Sequence, residues 1–164
     1  MHYAGSMTPA HATRAGLHSR VITRVRAVGR GLQAFTPAVD LGVRLFVASV
    51  FFKSGLTKIA TWSSTLSLFE NEYAVPLLPP EVAAYLGTGV ELLFPVLLAI
   101  GLGTRFSAFV LFVFNIIAVV SYPDLGAVGL RDHQTWGLLL LVTLLHGPGK
   151  LSLDHLVARR FPAP

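Results

Sequence analysis

Four apolar runs govern what this chain can become. They cover about Val39–Ala60, Val82–Leu102, Arg105–Tyr122 and His133–Gly147. A helix needs roughly 20 residues, with a range of about 17–25, to cross the hydrocarbon core of a bilayer. The first three runs satisfy that. The fourth has its cleanest core in LLLLVTLL and is short, so it either begins before Arg131 or lies where the bilayer thins. Composition agrees with a membrane protein. Mean hydropathy is +0.64 and only 13% of residues are charged, where a soluble domain carries about 25%. Backbone facing lipid must satisfy its own hydrogen bonds, which leaves helices or closed barrels. No alternating pattern of about ten residues marks barrel strands. The expectation is an all-α, integral membrane four-helix bundle over residues 39–149.

Charge sets the expected orientation. Residues 1–38 form a basic segment, partly disordered or amphipathic, with Arg14, Arg20, Arg24, Arg26 and Arg30 and no acid. Residues 150–164 form a second basic tail with Lys150, Arg159 and Arg160, and the turn GLGTR carries Arg105. The loop Thr61–Glu81 has no Lys or Arg and carries Glu70, Glu72 and Glu81. Positive loops stay inside, so both termini are expected in the cytoplasm. Arg131 is the exception, offset by Asp132. A basic segment beside a membrane run reads as a flank drawn to anionic lipid rather than a nucleic-acid arm; an Arg-rich, acid-free start also resembles a transit peptide. Trp62, Tyr73, Tyr122 and Trp136 fall near the outer ends, where amphipathic rings anchor. Pro80 can open a helix, and Ser64–Tyr73 reads as a short helix on the membrane surface.

The polar residues inside the runs mark the candidate site. A charge at bilayer depth costs about 2.5–3.5 kcal/mol on insertion scales. Glu91 lies about nine residues below the outer end of its run, roughly 13 Å deep, too far to reach the interface. It must be paired, protonated or wet. Pro95 cannot donate to the carbonyl of Glu91, and Gly87 sits one turn earlier, so a polar pocket around Glu91 is expected. Arg44, Lys53 and Lys58 supply the cations of the first run. Asp40 and Arg44 have ion-pair spacing. Depth favours Lys53 as the partner of Glu91, while Lys58 can snorkel. Lys53 points about 180° from Arg44 and Lys58 returns near the face of Arg44, so the three cannot all face inward. Asn115 reads equally as interhelical glue or a pocket group, and His133 equally as a surface histidine or a ligand group.

Several chemistries find no support in the residues. The chain has no cysteine, so thiolate metal sites, Fe–S clusters and cysteine nucleophiles are out. His133 and His146 lie on one run, roughly 20 Å apart, and cannot sandwich a haem. There is no metal-spaced cluster, no phosphate loop, and no clear cofactor motif. No catalytic residue can be named.

From Arg44 onward the chain resembles the DoxX family of small four-helix membrane proteins. RLFVASVFFKSGLTKIA has an early arginine, a glycine and a following lysine at Arg44, Gly55 and Lys58. YLGTGVELLFPVLLAIGLGTR has a glutamate leading to a glycine, then Thr-Arg. GPGKLSLDHL, residues 147–156, is similar to the family's closing GPG-(R/K)-x-S-x-D pattern. The resemblance covers about residues 40–156. Where glycines often follow the glutamate, this chain has Phe94-Pro95. The resemblance implies a multi-pass protein of the bacterial inner membrane and favours Lys58 over Lys53. Some relatives are membrane subunits of thiosulfate:quinone oxidoreductase or of oxidative-stress complexes. The expectation is therefore a membrane subunit of a redox or sulfur- and quinone-linked complex, without a redox cofactor of its own. Quinone is a possible ligand, and partners would be lipid, other redox subunits and further copies of the chain. A small-solute or ion transporter and a structural or assembly protein are the alternatives.

Overall fold

The structure, a computed structural model, describes residues 9–161. The first eight residues of the basic segment, the last three of the tail, and the side chains of Arg14, Arg20 and Arg24 lie outside the described residues. Six helices and no strand occur among them: α1 Pro9–Ala60, α2 Trp62–Asn71, α3 Pro80–Ile100, α4 Thr104–Ser121, α5 Gly126–His146 and α6 Leu153–Arg160. The chain divides into two compact units, Met1–Thr36 and Pro37–Pro164. The first holds the start of α1. The second holds the rest of α1 and helices α2 to α6.

Three helices are long and apolar enough to cross a membrane: Val28–Ala60 within α1, α3 and α4. α5 is as long as α3, but its first half carries Arg131, Asp132, His133 and Gln134 and falls short in apolarity. It starts at Gly126, ahead of Arg131, so the apolar run at its end is part of a longer helix. Local chemistry sets the boundaries. Pro80 occupies the first turn of α3, where its missing N–H costs nothing. Gly101 and Gly103 adopt left-handed conformations (φ 73° and 57°) that a side chain would resist, and they turn the chain from α3 into α4. The short helix α2 runs two residues earlier than the expected Ser64–Tyr73.

Each apolar helix buries one narrow stripe. On α3 it is Ala83, Ala84, Gly87, Thr88, Glu91, Pro95 and Leu98; on α4 it is Thr104, Ser107, Ala108, Leu111 and Asn115. Spacings of three and four place these on one face. Most are small, which lets helices approach closely where lipid gives no hydrophobic drive. Val47, Ala48 and Phe51 of α1 meet Leu98, Ala108, Leu111 and Leu140 in the central core. The Phe51 ring stands edge-on to Phe114 and Trp136, at 6.3 and 6.1 Å. Trp136 is thus half-buried against the core rather than an interfacial anchor alone. The opposite faces show Leu93, Val96, Phe106, Phe109, Ile116 and Val120 to the outside, an apolar surface suited to acyl chains.

The end of the second unit that carries the α3–α4 turn is held by polar contacts. Arg44 is 1% exposed. Its Nη1 donates to the Leu98 carbonyl (3.3 Å) and its Nη2 to the Leu151 carbonyl. Arg44 therefore does not form the expected ion pair with Asp40, whose carboxylate faces His146 instead, at 3.7 Å. The reason is directional: Arg44 points into the core, toward the Leu98 carbonyl in the last turn of α3 and the Leu151 carbonyl of the loop before α6. Asp154 caps α4 from a distance. Its Oδ1 and Oδ2 accept from the Gly103 and Thr104 amides, both at 2.8 Å. Burial alone would raise this carboxyl. The two amide bonds, with the Thr104 hydroxyl and the charge of Arg44, outweigh it and hold Asp154 below the usual carboxylate range.

Candidate functional site

Gly55 decides how closely α1 meets α3. A Cβ there would lie 2.9 Å from Leu92 Cδ2 and 3.1 Å from Glu91 Cβ. Without one, the two helices close at the level of Glu91, and Ser54 and Lys58 reach its carboxylate from the last turns of α1. Lys58 Nζ stands 2.8 Å from Glu91 Oε1 and 2.7 Å from Oε2. It donates a third hydrogen bond to Ser54 Oγ at 2.9 Å, and Ser54 Oγ donates to Glu91 Oε1 at 3.0 Å. Side-chain exposure is 18% for Lys58 and 5% for Glu91. A charge this deep persists because it is paired and hydrogen-bonded.

Lys53 is exposed and has no contact with Glu91. Depth along the helix suggested Lys53, but angle outweighs depth. Arg44 points inward, Lys58 lies about 40° from it around the helix and Lys53 about 180°. Once one inward residue is known, the other two follow.

Asn115 and His133 join α4 to α5. Asn115 Nδ2 donates to the His133 carbonyl at 3.0 Å, which leaves its Oδ1 as the acceptor for His133 Nδ1 at 2.8 Å. The imidazole packs against Trp136 at a tilt of 60°, with ring centres 4.8 Å apart. Asn115 is thus both interhelical glue and the residue that orients His133, and His133 is half-buried rather than a free surface side chain.

The Lys58–Glu91 pair and His133, but not Asn115, border one cavity of about 150 Å³, lined by Ser54, Lys58 and Glu91 and by Ser121, Tyr122 and His133. Phe69, Phe114 and Tyr73 supply aromatic wall. Tyr73 packs edge-on to Phe69 (4.9 Å) and Tyr122 (5.1 Å), and the Ala74 amide donates to the Ser121 carbonyl at 2.8 Å, tying the loop after α2 to the end of α4. Burial first, then the neighbouring Tyr122, Glu72 and Glu91, pushes the Tyr73 phenol up, so it stays a neutral donor. Ser121 Oγ is buried without a hydrogen-bond partner among the described residues. A more open groove of about 250 Å³ shares Ser54, Lys58, Phe69 and Tyr73 and reaches the pair from the α2 side.

Two expected members of the pocket stand elsewhere. Pro95 is fully buried, but it borders a separate groove with Leu45, Ala48 and Phe52, one turn further along α3. Gly87 is not in the cavity lining; it faces the Phe114 and Phe69 rings, and a Cβ there would fit in ordinary contact with them at 3.5 and 3.6 Å. Ser54, Ser121 and Tyr73 were not singled out as site residues from sequence. Serine inside a helix and tyrosine near an interface are too common to signal a pocket alone. Ser54, four residues before Lys58 on the same helix face, was the one readable hint. Among the described residues, no three His, Asp or Glu side chains group closely enough to hold a metal.

Comparison with known proteins places this architecture. The DoxX family model matches residues 39–123, which include α3, α4 and the site-bearing part of α1. An uncharacterized protein of Haemophilus influenzae (strain ATCC 51907 / DSM 11121 / KW20 / Rd) is 32% identical over 148 residues, covering 85% of this chain and 92% of the relative. No solved structure matches.

Proposed function

The chain belongs to the DoxX family, and from that premise we propose that it is the membrane subunit of a redox assembly linked to quinone or sulfur chemistry, holding a small ligand beside Glu91. In this reading α1, α3, α4 and α5 form a four-helix membrane bundle in the bacterial inner membrane, with both termini in the cytoplasm. A partner subunit supplies the electron carrier. The observation that supports it best is the cavity: an ion pair, a histidine and an unpartnered hydroxyl gather inside a protein whose surroundings are apolar. Buried polar groups are expensive in a membrane and mark functional sites by default. At about 150 Å³ the cavity is well below the ~300–1,000 Å³ of drug-sized sites, so it suits one small molecule or one ring of a larger one.

The test is purification from native membranes with identification of co-purifying chains, followed by a quinone-reduction assay. A redox partner is expected, with activity lost in Glu91→Gln while the partner is still captured. Absence of any redox chain, together with no bound quinone or sulfur compound, overturns the proposal. Orientation is tested separately, because the chain has no cysteine of its own. A cysteine placed at Leu78 is expected to react with an impermeant reagent from outside, and one at Leu102 only in opened membranes. A transporter remains the second reading, favoured by an acid and a proline within one membrane helix. Proteoliposome flux unchanged by Glu91→Gln argues against it.

A further inference from the structure

Residues 39–60 of α1 carry three cations, Arg44, Lys53 and Lys58, and the fold answers two of them. Arg44 meets the carbonyls of Leu98 and Leu151, and Lys58 meets Glu91 and Ser54. Lys53 is exposed, and no carboxylate among the described residues forms an ion pair with it.

Lys53 is also deep. The next residue, Ser54, bonds Glu91, which lies about three turns inside the start of α3, roughly 16 Å along the axis. Two residues before Lys53, Phe51 meets Phe114 of α4 and Trp136 of α5. The end of α1 at Ala60 is about two turns away, roughly 10 Å, which is more than the lysine side chain can bridge. An ammonium facing acyl chains at such depth is costly, and membrane proteins keep such charges paired.

The surface around Lys53 suits a helix. Exposed residues recur there at spacings of four and three: Gly42, Phe46, Ser49, Lys53, Leu56 and Ala60. One helix lies along another with that spacing. A lipid-facing helix shows it as well, so the charge decides between them. Acyl chains offer Lys53 no acceptor. Gly42 has open space where a side chain would stand, and Ser49 Oγ is spent on the Phe46 carbonyl at 2.7 Å. Lys53 is therefore the group on this stripe with donors to give. A second copy does not satisfy it, because two copies packed on this stripe about a two-fold axis set Lys53 against Lys53.

We propose that the α1 stripe centred on Lys53 docks a membrane helix of a different subunit, which presents an Asp or Glu at the level of Lys53 within an otherwise apolar face. The contact lies about 140° around α1 from Lys58, so the partner helix packs outside the bundle and away from the Glu91 pair. This deepens the reading of the chain as a subunit and rests on it, but not on the cavity or its ligand.

The test is photo-crosslinking from the full chain in its native membrane. A photoreactive residue at Ser49 or Leu56, about one turn to either side of Lys53, is expected to link to a helix of another membrane protein. Sequencing of the linked peptide is expected to find Asp or Glu within about one turn of the linked residue. Lys53→Met is expected to reduce the product at least about tenfold, because it strands the partner's carboxylate in the membrane. Lys53→Arg keeps the charge and is expected to hold the product within about threefold. Lys53 is exposed, so neither substitution unfolds the isolated chain. Linkage to lipid alone, to a second copy of this chain, or to a helix with no acid at that level overturns the inference. So does an undiminished product in Lys53→Met, or a fall in Lys53→Arg equal to that in Lys53→Met. A redox chain that still co-purifies with Lys53→Met leaves the proposed function standing while this inference fails. A linked acidic helix from an assembly without an electron carrier does the reverse.

Discussion

Two buried charged clusters sit on the same helices, about four turns apart on α1, and they are built differently. Around Arg44 the charge is spent on backbone. Its guanidinium meets the carbonyls of Leu98 and Leu151, and Asp154 takes the first amides of α4. Around Lys58 the charge is spent on side chains, Glu91 and Ser54, next to a cavity. The first arrangement closes helix ends and leaves no space: a Cβ on Gly101 would lie 2.9 Å from the Ser152 backbone and run into Arg44. The second keeps room, aromatic walls and a hydroxyl without a partner. A buried charge is thus not by itself a site. What distinguishes a clamp from a pocket is whether the charge is answered by fixed backbone or by side chains that line open space.

That contrast can be broken by mutation, and the largest effect should come from the clamp. Arg44→Met fills the volume but removes two charge-assisted hydrogen bonds, leaving the Leu151 carbonyl without this donor and Leu98 with the Gly101 amide alone; bonds of that kind are worth about 1.5–3 kcal/mol each. It is expected to lower stability by roughly 2–4 kcal/mol, read as a fall in thermal midpoint in detergent. The cavity ligand should still bind to the protein that remains folded. Equal loss of stability and affinity would show that the two clusters are one unit.

The pocket comes next. Glu91→Gln leaves the Lys58 ammonium half-buried without a counter-charge, and should cost about 1–3 kcal/mol. Lys58→Met added to it removes the stranded charge, and stability is expected to recover. A double-mutant cycle measures this coupling. Additive losses would mean that the pair contributes nothing.

A smaller effect separates the ends by pH. Asp154 has a depressed carboxyl in the folded protein, so its contribution is present above the unfolded value of about 3.9 and fades as pH falls through the folded value. Asp154→Asn should cost about 1 kcal/mol at neutral pH, the usual size of a helix cap, and remove part of the acid-dependent loss. An acid melting profile of wild type and variant checks this. The smallest effect belongs to Lys53→Met. Lys53 is exposed and touches neither cluster, so stability should change by no more than about 0.5 kcal/mol and ligand affinity not at all.

Much of the architecture was legible in the chain. Long, mostly apolar runs located the second part of α1, α3 and α4, because a bilayer demands length and apolarity and little else. Pro80 and the GLG turn announced their boundaries, since each acts through its own backbone. Glu91 stood out because a carboxylate at that depth has to be explained. The partners did not stand out. Choosing Lys58 over Lys53 needs the rotation of α1 about its axis, and that is set by Arg44 pointing inward and by Gly55 closing on Leu92. The pairing of Asn115 with His133 joins two helices. So does the reach of Asp154 from α6 to α4. No local spacing records either.

The division has one physical cause. Solvent choice, helix length and chain reversal are properties of a residue and its neighbours along the backbone, and the sequence by itself determines them: an all-helical membrane protein with an acid where lipid should be. Which side chains meet is a property of rotation and approach between helices. The tertiary structure decided that Glu91 meets Lys58, that Pro95 belongs to a different groove, and that Ser121 and His133 look into the same space. Helix phase is settled only when whole faces pack, so the pocket had no address until the fold assigned one.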